Sequence, residues 1–350
     1  MLEGKAQGMM HEIPKSFPEF TRLFPNEEAC AAYLFSIRFP EGFACPYCGG
    51  RQCWARSTRR TYVCAVCGRD VHLTAGTIIH GSRIPLLTWF YAIFIDTILT
   101  PGISAVQFQK ALGLTRYETA FQMLHKVRHA MVNPDRDALH GTVQVDETYM
   151  GGLRVGRKGG RSLDDKVLVV GAVEAREATK PPHHLYAGRV RFRVVPNAGA
   201  KALLGFITDH VVPVSAVVTD GWKSYEGLAK LGYTHLPYLN DPPKELTSWR
   251  DLIHLEFSNL KTAIQGTYHG RVEQRHLQAY LNEFAFRHNR RFFTPGFGFL
   301  RVLTFGMKGR APTWDELYTT VDYGCSVRLS GCGECKTAKP QGVGRLARTG

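Results

Sequence analysis

Val143-Gln-Val-Asp146-Glu-Thr-Tyr149-Met-Gly-Gly152, together with Val217-Val-Thr-Asp220-Gly-Trp-Lys-Ser-Tyr225, decides how this chain is read. Each stretch ends a short β-branched run on an aspartate and follows it with turn residues. An ionised carboxylate at the mouth of a buried strand is costly unless something positive meets it. Two such carboxylates, set side by side by a sheet, suit a divalent cation held against a phosphate. The pattern predicts a metal-dependent enzyme acting on phosphodiesters.

Working outward, Thr142–Tyr149, Lys166–Glu174, His184–Val195 and Ser215–Thr219 read as strands, with a helix from Ala198 to His210 before the last. Three consecutive strands, a helix, a strand and further helices make an α/β domain with a mixed sheet. In such a sheet the first and fourth strands can be neighbours, bringing Asp146 beside Asp220. Glu147 points to the other face if its strand continues, as second support or structure. The basic run Arg154, Arg157, Lys158 and Arg161 interrupts the first hairpin, as a loop touching nucleic-acid backbone or as a solvated loop.

A site of this kind calls for a third ligand from a later helix, and His254, Glu256 and Glu283 are the candidates. Ile253, Phe257, Leu260 and Ile264 form the buried stripe of a helix over Leu252–Gln265. At ~100° per residue, His254, Ser258, Lys261 and Gln265 share one flank of that stripe, while Glu256 lies on the other with Leu252. His254 is the choice, with Lys261 placed for a phosphate; the alternative is a surface histidine partnering a carboxylate. Glu283 has Arg287 four residues on, so an ordinary ion pair accounts for it. Arg287, Arg290 and Arg291 are read as phosphate contacts or support for the active site.

Cys45-Pro-Tyr-Cys48 and Cys64-Ala-Val-Cys67 are two CxxC pairs, each followed by glycine, and 15 residues (49–63) separate them. This is zinc-ribbon spacing, predicting Zn²⁺ on Cys45, Cys48, Cys64 and Cys67. The hairpin from Arg51 to Arg60, with Trp54, suits DNA phosphates, and a structural or protein-docking ribbon suits it as well. Cys30 reads as a buried helical residue and Cys53 as a spare thiol. From 86 to 99 an apolar helix is expected, then 104–112 and 117–132 as a helix–turn–helix. Its second helix would present Arg116, Lys126, Arg128 and His129 to DNA, or else simply pack.

The chain has 350 residues, a net charge of +14 and a pI near 9.4, which suit a polyanionic partner. No apolar run reaches membrane-spanning length and the amino terminus is not signal-like, so a cytoplasmic protein without a membrane partner is expected.

These motifs resemble the DDE-type transposases of bacterial insertion sequences that carry an amino-terminal zinc ribbon, the ISXO-like family. The matching stretches are Phe43–Gly49, Val145–Gly152, Thr219–Tyr225, Phe257–Lys261 with Gly266–Gly270, and Tyr280–Arg287, in the same order over roughly residues 17 to 310. The resemblance implies a ribonuclease H-like catalytic fold and carries the first two metal-binding acids onto Asp146 and Asp220. The third acid position, seven residues before a lysine, falls on His254, where most of these enzymes have glutamate. The organisation expected is an amino-terminal helix and zinc ribbon (17–82), a helix-turn-helix-like region (83–135), a catalytic domain (141–310) and a tail (311–350).

The function implied is binding of an element's terminal inverted repeats, followed by DNA cleavage and strand transfer into target DNA. Mg²⁺ or Mn²⁺ would sit on Asp146, Asp220 and His254, with Lys261 on the phosphate, and a homo-oligomer would synapse the two ends. The alternatives are a non-catalytic DNA-binding protein, as a degenerate transposase or regulator, and a structure-selective nuclease on the same fold. The tail cysteines Cys325, Cys332 and Cys335 suit a flexible tail.

Overall fold

The computed structural model describes residues 11–56, 60–133, 136–151, 166–180, 184–238, 251–270, 272–310, 312–313 and 316. Arg154, Arg157, Lys158 and Arg161 of the basic loop, and Cys325, Cys332 and Cys335 of the tail, lie outside these residues.

Two capped helices come first among the described residues. In α1 (Phe17–Leu23) the Ser16 hydroxyl accepts from the Glu19 N–H, and in α2 (Glu27–Arg38) the Asn26 side chain accepts from Ala29. Such caps stabilise a helix by about 1 kcal/mol. A three-stranded antiparallel sheet follows: β1 (Cys53–Arg56), β2 (Thr61–Cys64) and β3 (Asp70–His72). Glu27 joins this sheet to the next helix. It pairs with Arg60 at 2.8 Å and accepts from the Leu86 and Leu87 N–H groups at 3.0 and 2.7 Å, so it caps α3 (Leu86–Ile98), whose own N-cap is Pro85.

With α4 (Ala105–Ala111) and α5 (Tyr117–Ala130), these helices enclose an aromatic core around Phe20, Phe24, Phe90 and Phe94. The last helix among the described residues, α9 (Phe297–Lys308), closes that core, its Phe299 ring touching all four phenylalanines. Residues 297–308 thus pack with α1 and α3, although in sequence they fall in the stretch read as the catalytic domain.

The larger sheet runs in the order β6-β5-β4-β7-β8. β4 (Thr142–Gly151), β5 (Lys166–Glu177) and β6 (Leu185–Val195) form an antiparallel meander, while β7 (Ala216–Thr219) and β8 (Thr234–Pro237) run parallel to β4. The first and fourth strands are neighbours, as expected. The fifth strand was not anticipated, because four residues ending in proline carry no alternating signal. α6 (Ala200–His210) covers one face through Leu203, Phe206 and Ile207. α7 (Leu252–Tyr268) and α8 (Gln274–His288) cover the other, with Ile253, Phe257, Leu260 and Ile264 buried as the helical spacing predicts. Burial on both faces explains why β5 is an almost unbroken apolar run. Asn289 and Gln278 satisfy the outer edge of β6, through bonds to Val190, Val194 and Phe192 of 2.8 to 3.2 Å.

Buried charge joins the helical core to α8, which covers the larger sheet. Arg128 of α5 bonds Glu283 of α8 at 2.7 Å, and Arg287 bonds both Glu283 (2.8 Å) and Asp96 of α3 (2.9 Å). Tyr268 adds its hydroxyl to Glu283 at 2.9 Å. Removing one member of such a network costs about 3–5 kcal/mol, because its partners stay buried without it. This corrects the expectation for Arg128: at 1% exposure it reads no DNA. Within α5 only Tyr117 and Glu118 of the first turn are exposed, and α3, α4, α8 and α9 pack on the rest.

Candidate active site

β4 alternates its side chains between two faces. Gln144, Asp146 and Thr148 face α7, and Val143 and Val145 face α6. Its parallel register with β7 pairs Thr142 with Ala216 and Gln144 with Val218. Two positions further on (144 + 2 and 218 + 2) stand Asp146, within β4, and Asp220, one residue past the end of β7, whose charge acts on the Asp146 carboxyl.

Three contacts lay α7 along this row. Gln144 accepts from the Leu252 and Ile253 N–H groups at 2.9 and 3.1 Å, capping the helix from the sheet. His254 Nε2 lies 2.7 Å from Asp146 Oδ2, and Lys261 Nζ donates to Thr148 Oγ1 at 2.7 Å. One helix therefore brings an imidazole to Asp146 and an ammonium two residues beyond it. His254 Nδ1 is held at 2.6 Å by Asp251, the N-cap of α7. Glu256 is buried on the opposite flank beside His288, at 3.0 Å.

The helix can approach this closely because of Gly171, the cross-strand partner of Asp146. A Cβ there would stand 2.7 Å from Phe257 Cε1 and 3.0 Å from Ile253 Cδ1. An isolated glycine inside a valine-rich strand is a known sign of close approach, and it was the available clue in sequence.

Backbone N–H groups orient both aspartates: Glu147 N–H donates to Asp146 Oδ1 at 2.7 Å, and Trp222 N–H donates to Asp220 Oδ1 at 2.9 Å. Asp220 is exposed, whereas burial raises the Asp146 carboxyl pKa. The Glu147 N–H and His254 oppose that rise, and the Asp220 charge adds to it. Burial also pushes the Glu147 carboxyl up to about 7, with the neighbouring Tyr225 hydroxyl working the other way. Tyr238, just beyond β8, has its phenol pushed up to about 12 by burial and by the charges of Asp251, Asp146 and Asp220. Its N–H donates to the Thr219 carbonyl, next to Asp220, at 3.0 Å, and the unanticipated fifth strand brings it there.

Arg287 and Arg290 lie elsewhere. Arg287 is committed to Glu283 and Asp96, and Arg290 stacks 3.8 Å from the Phe286 ring centroid.

The four ribbon cysteines converge. Cys45 and Cys67 Sγ are 3.7 Å apart, Cys48 and Cys64 Sγ 3.6 Å, and all four lie within 4.8 Å of one another. Zinc–sulfur bonds of ~2.3 Å give a tetrahedral edge of ~3.8 Å, so the thiols fit zinc. Each knuckle closes with a glycine N–H donating to the first cysteine's carbonyl at 2.9 Å, and Gly49 and Gly68 adopt φ of 74° and 66°. Among the described residues no second group of three ligand atoms draws together as tightly, so Asp146, Asp220 and His254 do not form a closed cluster.

Residues 138–289 match the family model of the ISXO2-like transposase domain, and residues 25–70 match that of the transposase zinc-ribbon domain. This is an ISXO2-like transposase domain behind a transposase zinc ribbon. The transposase match spans the whole sheet together with α6, α7 and α8, and both aspartates and His254 fall inside it. A five-stranded mixed sheet with helices on both faces agrees with the ribonuclease H-like architecture of such domains. No curated protein matches the chain. No helix among the described residues is long and apolar enough to cross a membrane.

Proposed function

We propose that the protein is an active transposase: it binds the ends of an insertion sequence and catalyses metal-dependent DNA cleavage and strand transfer. The observation that carries this reading is the parallel register of β4 with β7, which leads to Asp146 and Asp220 two positions on, with His254 and Lys261 brought by α7 to the face of β4 that bears Asp146.

The donor set suits divalent cations, since two carboxylates and an imidazole lie at the mouth of the sheet and burial already disfavours the charge on Asp146. When bound, Mg²⁺ or Mn²⁺ would polarise the scissile phosphate and activate the attacking water or 3′-hydroxyl. Asp146 would hold the cations together with Asp220, and His254 would turn its Nε2 from Asp146 towards them. Lys261 would neutralise a phosphate oxygen beside the cut. Glu147, beside Tyr225, would serve as structural support for the strand that carries Asp146. The basic residues Arg154, Arg157, Lys158 and Arg161 would contact DNA backbone, and a homo-oligomer would pair two ends and the target.

The test is cleavage of labelled oligonucleotides carrying the element's terminal repeats. Asp146→Asn and Asp220→Asn should abolish cleavage while preserving or tightening binding, because they remove negative charge facing phosphates. Loss of binding with the fold intact would make these aspartates recognition groups.

The 2.7 Å contact by which His254 already satisfies Asp146 favours a second reading, a DNA-binding protein that has lost catalysis. Tight end binding by the unmodified protein with no cleavage in either metal would establish it.

A further inference from the structure

At the β6 edge of the larger sheet, the linker into β4, strand β6, the end of α8 and helix α9 line a half-open cavity of about 270 Å³. Arg136, Arg189, Arg191, Arg290 and Arg301 line it, and Asp137 is the single acid among its described lining residues. A second cavity of about 580 Å³ continues from it, sharing Asp137, Arg189, Asn289 and Phe293 and adding Arg176 and Arg291. The two form one arginine groove along the outer edge of β6.

This groove is not the catalytic site. The sheet register aligns Asp146 with Gly171 and Phe192, which share the α7 face, so Arg191 points to the opposite face. β5 lies between β6 and β4, which separates the rows by roughly 10 Å.

Two features distinguish the groove from an ordinary solvated basic surface. First, its arginines are built in. Arg191 is only 7% exposed, Arg290 stacks on Phe286 at 3.8 Å, and Arg301 stacks on Phe297 at 4.7 Å. Stacking fixes the guanidinium planes, and backbone carbonyls hold Arg290 (Phe286, 3.1 Å) and Arg191 (Val190 and Asp137, 3.0 and 2.9 Å) in place without neutralising their charge. Second, positive charge exceeds its compensation. The buried Glu174 carboxylate is taken by Arg176 and Arg189, at 2.7 and 2.6 Å. Burial, then Arg136 and Arg189, pull Arg191 down to about 9, and burial, then Arg301, pull Arg290 down to about 10. Guanidinium groups that repel one another in a half-open groove are stabilised by an anion.

We propose that this groove binds phosphate groups, as a polyanion site distinct from the catalytic one. The phosphates come either from DNA backbone, which rests on the DNA-binding reading above, or from a free polyphosphate.

The test uses the full chain and three variants, Arg136→Met, Arg290→Met and Arg301→Met. Arg301 is exposed on α9, so its replacement leaves the core intact. Pyrophosphate binding is measured by calorimetry, and DNA binding as a function of salt on a duplex of fixed length. With DNA backbone as the source, each replacement reduces the slope of log K against log salt by about 1. With a free polyphosphate as the source, pyrophosphate affinity falls at least tenfold in each variant and the DNA slope is unchanged. If neither quantity moves in any of the three variants, the groove is not a phosphate site. Failure of the unmodified protein to bind DNA would overturn the DNA reading alone, and the pyrophosphate measurement would then decide the groove.

Discussion

Replacing Gly171 by alanine should damage catalysis without touching a catalytic group. The new Cβ would lie 2.7 and 2.9 Å from the Cε1 and Cζ atoms of Phe257 and 3.0 Å from Ile253 Cδ1. Carbon atoms rest at ~3.5–4.0 Å, so the ring must retreat by about 1 Å. Phe257 and Ile253 are each 3% exposed and packed between sheet and helix, so the helix itself has to move. Overpacking of this kind costs about 1–3 kcal/mol. The displacement passes to His254, next to Ile253, and withdraws it from Asp146, the residue paired across the strands with Gly171. A misplacement of about 1 Å in reacting groups can cost ~100-fold in rate. Gly171→Ala should therefore melt a few degrees lower, bind DNA as before and cleave about 100-fold more slowly. Adding Phe257→Leu, which removes the clashing ring atoms, should recover part of the rate. Unchanged melting and cleavage in Gly171→Ala would refute the claim that close helix approach builds the site.

Cys64→Ser should release the metal and unfold the ribbon locally, because its small core of Phe43, Cys45, Cys64 and Val71 cannot stand alone; zinc analysis showing full retention would overturn this. If His254 is a metal ligand, cleavage should be faster with Mn²⁺ than with Mg²⁺, since imidazole suits manganese better. His254→Glu should then keep Mg²⁺-dependent cleavage, His254→Ala should lose at least ~10-fold, and Glu256→Ala should be silent in chemistry. Silence of His254→Ala with loss in Glu256→Ala would reverse the helix-face assignment. Burial pushes Glu174 up, but the Arg189 hydrogen bond, backbone N–H groups and charge overcome this and hold it at about 2. A depressed carboxyl contributes stability that is present above the unfolded value near ~4.3 and lost as pH falls towards 2, here about 3 kcal/mol. Glu174→Gln should flatten that part of the stability profile, and an unchanged acid limb would show that Glu174 is not its source.

Much of this protein follows from local pattern. Cys45, Cys48, Cys64 and Cys67 declare the ribbon because a tetrahedral centre needs two thiolate knuckles, and spacing along the chain supplies them. Helical periodicity placed Ile253, Phe257, Leu260 and Ile264 inward and His254 with Lys261 on one flank, because about 3.6 residues per turn leaves little freedom. The two aspartates could likewise be read from β-branched runs that end in turns. Tertiary structure alone decided matters that depend on distant segments. Arg128 and Glu283, 155 residues apart, meet in one buried network, so a residue that looks like a DNA contact is an internal strut. Tyr238 reaches the acids by way of an edge strand too short to announce itself. Gly171 is needed because a helix some 80 residues later rests on it, and the arginine groove exists because four separate elements converge there. Hydrophobic periodicity records what one segment buries; which partner it meets is set by packing across the whole chain.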